Sequence, residues 1–142
     1  MFDIAIVGSG PGGISAAARA AELKVSHVLL EGAPHLSNTI YRYQKGKHVM
    51  AEPEALPLRS PLKFQAGSRE SILESWDQDV AKLGVNVRHG AEVTAIKKTD
   101  AGFDLSIGRS EKIQAKAVVL GIGLQGNIRK LGVPGEDAPF VQ

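Results

Sequence analysis

The strongest constraint on this chain lies in its first two dozen residues, where Asp3-Ile4-Ala5-Ile6-Val7 runs into Gly8-Ser9-Gly10-Pro11-Gly12-Gly13 and then into an alanine-rich stretch. A strand, a Gly-x-Gly-x-x-Gly turn and a helix in that order form a nucleotide-binding βα unit. Gly8 permits the tight exit from the strand, Gly10 lets the backbone approach a pyrophosphate, and Gly13 lets the helix lie close on the strand. The diphosphate then rests on the helix N-terminus. Unpaired backbone N–H groups and the positive end of the helix dipole bind an anion there without a lysine.

Glycine-rich turns are common, so the flanking pattern matters. Ile4, Ile6 and Val7 predict a buried strand, and Ile14, Ala17, Ala18 and Ala21 give the helix a small-residue face suited to a sheet. The helical pattern fades after Leu23, and a second apolar run, Val28-Leu29-Leu30, ends in Glu31. That acid stands about 20 residues beyond the turn, the spacing at which a carboxylate meets the adenosine ribose hydroxyls. A solvated acid at a strand end is the plain alternative; the upstream pattern favours the ribose. An acid at this position repels a 2′-phosphate, so the nucleotide expected here is FAD or NAD and not NADP.

With 142 residues, 43% of them hydrophobic, the chain supports one domain with its own core. The net charge of +2 is small, and the basic pairs Lys45/Lys47 and Lys97/Lys98 fit solvated surface, so no nucleic-acid partner is expected. No apolar run reaches membrane-spanning length and no charged leader precedes the first strand, which predicts a cytoplasmic protein without a membrane partner. Cysteine is absent. That excludes disulfides, thiolate metal sites and a cysteine nucleophile within these residues, and any redox chemistry must come from a bound cofactor. His27, His35, His48 and His89 show no metal-ligand spacing, so no metal is expected.

From Ala33 to Gly67 periodicity is poor and prolines recur at 34, 53, 57 and 61, although Leu36, Ile40 and Tyr43 suggest one face of a short helix. Ser68 then caps an expected helix with Ile72, Leu73, Trp76, Val80 and Leu83 on one face and Gly84 at its end. Trp76 belongs to the core on this pattern. Val85-Asn86-Val87 predicts a short strand. Residues 92–98 and 103–107 predict a hairpin turning at Asp100, Ala101 and Gly102, with Lys112-Ile113-Gln114 as a third strand. Ala117-Val118-Val119-Leu120 predicts a buried strand at the centre of a parallel sheet, leaving through Gly121-Ile122-Gly123.

This order of elements, ending in Leu131-Gly132-Val133-Pro134-Gly135-Glu136, resembles the N-terminal FAD-binding part of flavoprotein reductases with two dinucleotide-binding domains. Within that pyridine nucleotide-disulfide oxidoreductase type it is most similar to the thioredoxin reductase-like group. The resemblance implies an α/β fold: a Rossmann-like FAD/NAD(P)-binding domain with a central parallel sheet and a small antiparallel β-meander. It implies an FAD-binding domain over residues 1–123 and an exit linker over 124–142 toward a missing NAD(P)H-binding domain, so that the chain looks like part of a longer protein. The cofactor-binding residues it implies are Gly8, Gly10, Pro11, Gly12, Gly13, Glu31, Gly32, Val93 and Gly123. Backbone near Ala91 and Val93 would lie against the adenine, and part of the Tyr41-to-Met50 stretch near the isoalloxazine ring.

The family commonly carries Ala-Thr-Gly where this chain has Gly121-Ile122-Gly123, so the threonine hydroxyl is lost while backbone contact at Gly123 survives. In an intact relative NAD(P)H, the co-substrate, reduces the flavin, which passes electrons to an acceptor, and the resemblance implies a redox protein among the candidates for that role. No side chain here is assigned a catalytic role. His48 is the one considered for tuning the flavin or delivering a proton, against the simpler reading of a surface histidine. No cysteine follows Glu31, unlike the glutathione and lipoamide reductase arrangement. Two other readings stay open: an NAD-dependent Rossmann dehydrogenase, and a nucleotide-binding or interaction module without turnover.

Overall fold

The computed structural model describes residues 1–51, 58–124 and 132–134. Strand β1 (Phe2–Val7) leads into helix α1 (Pro11–Glu22) and back into β2 (His27–Leu30). β1 and β2 pair in parallel, with Ile6 opposite Leu29 and Val7 opposite Leu30. Alternation along β1 divides the molecule into two cores. Ile6 and Leu29 turn toward α1, meeting Ile14, Ala17 and Ala18, whereas Ala5, Val28 and Leu30 turn to the opposite face. The predicted small-residue face holds with one change, because Ala20 is buried and Ala21 only half-buried.

Helix α2 (Asn38–Tyr41) is a single turn, shorter than the face of Leu36, Ile40 and Tyr43 suggests. Ser37, in a left-handed conformation at φ 53°, ends the chain's approach, so Leu36 packs into the core from outside the helix. Two short strands, β3 (His48–Val49) and β4 (Gly67–Ser68), pair antiparallel and deliver the chain to helix α3 (Arg69–Lys82). The Ser68 hydroxyl accepts the Ser71 N–H, the expected cap, and Gly84 turns the chain out at φ +68°. Trp76 is buried, its indole N–H donating to the Lys63 carbonyl at 3.2 Å.

Strand β5 (Val87–Arg88) lies two residues later than the predicted start at Val85. The Val85 N–H is taken by the Val80 carbonyl at the helix exit, and the Asn86 carbonyl accepts from Leu29 before regular pairing begins. Beyond it, β6 (Val93–Thr99), β7 (Gly102–Ile107) and β8 (Glu111–Leu120) form the meander. The expected strands at 112–114 and 117–120 are one strand. Its first half pairs antiparallel with β7 and its second half parallel with β1, Ala115 facing both Phe103 and Phe2.

One six-stranded sheet therefore runs β5-β2-β1-β8-β7-β6. Leu105, Ile107, Ile113 and Ala115 pack on Ala5, Val28 and Leu30, so the meander covers the face opposite the helices. The predicted burial of 117–120 is not met: Val118 is half-buried, the other three are exposed, and Leu120 is 61% exposed. Among the described residues this half of β8 pairs only with β1, and Val119 and Leu120 remain accessible. No described helix is long and apolar enough to cross a membrane.

Candidate nucleotide-binding site

The opening turn is compressed by backbone packing at two glycines. Gly8 sits at φ +92°, and a Cβ there would lie 2.5 Å from the Gly121 carbonyl oxygen. A Cβ on Gly13 would fall 1.8 Å from the Gly8 carbonyl oxygen, so the helix start rests directly on the turn. Gly10 and Gly12 differ. Among the described residues, a Cβ on Gly10 would have only the Gly121 carbonyl oxygen, 4.0 Å away, as a neighbour, and one on Gly12 would have nothing within 4 Å. Neither has a positive φ. Space and dihedral angles among the described residues therefore do not require glycine at these two positions.

The start of α1 is open in the same sense. Gly10 is the N-cap, Pro11 occupies the first helical position, no side chain caps the helix, and no acid lies in its first turn. Its free N–H donors and dipole are available to an anion.

Glu31 stands beside this turn. Its backbone is fixed on both sides, N–H to the Arg88 carbonyl at 2.9 Å and carbonyl from the Ala91 N–H at 2.8 Å. Its carboxylate accepts the Ser9 N–H at 3.0 Å and the Ser9 hydroxyl on Oε2, and the Ala33 N–H at 2.8 Å on Oε1. Gly32 is exposed, with Glu92 against it: a Cβ on Gly32 would lie 3.6 Å from the Glu92 Cβ. Val93 opens β6 and packs its side chain on the meander core, leaving backbone as the part that a ligand can meet.

The structure thus brings Gly8, Gly10, Pro11, Gly12, Gly13 and Glu31 together, with Gly32 following Glu31 and Ala91 bonded to it. At the second glycine exit the residue touching the turn is Gly121. Its N–H donates to Val7 at 2.7 Å, and a Cβ on it would lie 3.0 Å from the Gly13 Cα. Gly123 is exposed at φ +66° with open space around it. His48 is exposed on β3.

Three features escape sequence reading. Ser9 and Ser37 are fully buried and cross-linked: the Ser37 N–H donates to the Ser9 hydroxyl at 3.0 Å, and the Ser37 hydroxyl to the Ser9 carbonyl at 3.1 Å. Ser9 fills a variable position of the glycine pattern and Ser37 lies in an aperiodic stretch, so no spacing links them. His27 is buried too, accepting the Asn86 N–H on Nε2 at 3.2 Å, which leaves Nδ1 to donate to the Val25 carbonyl at 2.7 Å.

A separate cleft of about 420 Å³ lies between α3, β5 and residues 34–36, with Leu36, Val80, Val85 and Val87 in its lining and Asp77, His35 and His89 at its polar positions. Burial pushes the Asp77 carboxyl above its ordinary value, opposed by His89 and His35. None of the predicted nucleotide-site residues lines it. No cluster of histidine and carboxylate side chains suited to a metal occurs among the described residues.

A glycine turn closed on itself, an uncapped helix start and an acid at the end of the neighbouring parallel strand define a Rossmann-like nucleotide-binding domain. The profile of the pyridine nucleotide-disulphide oxidoreductase family matches residues 5–142, and the chain belongs to that family. It is 27% identical over 99% of its length to a ferredoxin–NADP reductase of Ignicoccus hospitalis, and covers 43% of that protein. The bacillithiol disulfide reductase of Bacillus cereus superposes with a TM-score of 0.82 at 23% identity, over 97% of this chain and 44% of that one. Thioredoxin reductase of T. acidophilum superposes with a TM-score of 0.70 at 29% identity, over 95% of this chain and 39% of that one. The chain spans less than half the length of these relatives.

Proposed function

We propose that this chain binds FAD and forms the FAD-binding portion of an NAD(P)H-dependent flavoprotein oxidoreductase. Residues 1–123 form the binding domain and residues 124–142 the path toward an NAD(P)H-binding domain; most of the latter segment lies outside the described residues. The observation that carries this reading is the pair Gly10 and Gly12. Both are free of packing demands among the described residues, at an uncapped helix start, with the Glu31 carboxylate 3.0 Å from the N–H of Ser9, which precedes Gly10.

The residues present suit the cofactor. The N–H groups of the first turn of α1 hold the diphosphate, Glu31 accepts from the ribose, and backbone at Gly32, Ala91 and Val93 borders the adenine. Gly121 borders the turn from the far side, and Gly123 lies exposed two residues beyond it. When bound, the flavin supplies hydride and electron transfer; the chain's task is to place it and to exclude a 2′-phosphate at Glu31. The acceptor class is a redox protein or small disulfide, in keeping with the names of the relatives. The NAD-dependent dehydrogenase reading is weaker, because the chain continues into an irregular stretch and a meander where further parallel βα units would be needed.

Titration of the purified chain with FAD, followed by flavin fluorescence, tests this. Binding that ADP displaces, and that falls at least tenfold in Gly10→Val, is expected. A chain that binds neither FAD nor ADP, or binds FAD equally well as Gly10→Val, overturns the proposal.

A further inference from the structure

We infer that Ser9 is a positioning residue that limits Glu31 to a single acceptor position for the sugar, so that one ribose hydroxyl is recognised and the other is not. This rests on the cofactor reading above. A carboxylate has about four acceptor positions, two on each oxygen. Oε2 takes both the N–H and the hydroxyl of Ser9, and Oε1 takes the Ala33 N–H at 2.8 Å. One position remains, on Oε1.

The arrangement is locked from behind. The one proton of the Ser9 hydroxyl goes to the Glu31 carboxylate, which can only accept, while the Ser37 N–H is shared between the Ser9 hydroxyl oxygen at 3.0 Å and the Ser9 carbonyl at 3.1 Å. Ser37 also donates its own hydroxyl to the Ser9 carbonyl at 3.1 Å. Ser9 is 0% and Ser37 2% exposed, so water does not substitute for either. Rotating Glu31 to present both oxygens to a vicinal diol would orphan a buried hydroxyl proton and a backbone N–H, which is costly.

Calorimetric titration with ADP, 2′-deoxy-ADP and 3′-deoxy-ADP reads this directly. In the wild type one of the two deoxy compounds binds about tenfold weaker than ADP, the scale of one charge-assisted hydrogen bond, and the other binds as ADP does. Ser9→Ala frees a second position on Oε2, so both deoxy compounds then bind weaker than ADP. Ser37→Ala, which leaves the Ser9–Glu31 bonds in place, keeps the wild-type pattern; a merely structural role for Ser9 would move neither pattern.

Equal losses for both deoxy compounds in the wild type overturn the inference, as does loss for neither; both results need no variant. A Ser9→Ala protein that keeps the one-sided pattern overturns it as well. In all of these ADP still binds and the cofactor reading stands. A wild type that binds neither ADP nor FAD overturns the cofactor reading and this inference together.

Discussion

The opening turn and the described segments 37–49 and 67–70 are held by different means. The turn from Gly8 to Gly13 is held by backbone against backbone, carbonyls pressed where a side chain would stand. The later stretch is held by side chains reaching far along the sequence. Ser37 bonds to Ser9, the Arg69 guanidinium donates to the Tyr41 carbonyl while lying 5.1 Å from the Tyr41 ring centre, and the Gly46 N–H donates to Glu70. A backbone-packed turn is rigid and intolerant of any added atom; a side-chain strap yields in graded steps. Each of the following substitutions breaks or sharpens that contrast.

The largest effect is expected at Gly13. A Cβ placed 1.8 Å from the Gly8 carbonyl oxygen has no flexible neighbour to push aside, so β1 and α1 must separate. Gly13→Ala is expected to cost more than about 4 kcal/mol, in the range reserved for severe packing failure, or to prevent folding. A thermal melt followed by circular dichroism checks it, and a melt near that of the wild type would remove the backbone-packing account.

Arg69→Ala attacks the other region. The guanidinium donates to the Tyr41 carbonyl through Nε at 2.9 Å and also through Nη2, and pairs with Glu70 at 3.0 Å. Loss of these bonds is expected to cost about 1–2 kcal/mol, the net worth of one or two hydrogen bonds to a charged group. Hydrogen exchange should quicken at 41–47 and stay unchanged at 3–13. Uniform quickening would mean that the strap and the turn are one cooperative unit.

The same contrast explains what could be read in advance. Gly8, Gly13 and Ser68 were legible because each meets a local backbone need that only a few residue types satisfy. The merging of two expected strands into β8 was not legible. Gly102 to Leu120 contains nothing that marks Ala115 as the point where antiparallel pairing gives way to parallel. Nor was the Ser9–Glu31–Ser37 network, since a serine's partner 28 residues away is decided by the path of the whole fold. Glu31 itself is legible from its spacing, whereas its engagement with Ser9 is decided by the fold.

Gly12→Ala should separate folding from binding within the turn. Gly12 lies in the first turn of α1, with no positive φ and nothing within 4 Å of an added Cβ. Alanine there is expected to stabilise the ligand-free chain by roughly 0.5–1 kcal/mol, through higher helix propensity and a less flexible unfolded state. The methyl group would occupy the space proposed for the diphosphate, so FAD affinity should fall as the melting temperature rises. Stabilisation with undiminished FAD binding would place the diphosphate elsewhere.

The smallest effect concerns acid. The Glu70 carboxyl is held below its ordinary value, first by its own backbone N–H, then by Arg69 and the Gly46 N–H, with burial opposing. A carboxyl whose folded value is depressed contributes stability that is fully present above the unfolded value. The contribution fades as pH falls through the folded one. The window therefore opens near the ordinary glutamate value of about 4.3 and extends below it. Because the group is exposed, the change in overall stability is slight, and a local probe is the better measure. The Gly46 amide, 3.1 Å from Glu70 Oε2, should shift in an NMR titration with a midpoint below the ordinary value. Glu70→Gln should flatten that curve. An amide that titrates identically in the variant would show that Glu70 does not hold the strap, and the side-chain account of this region would lose its acidic member.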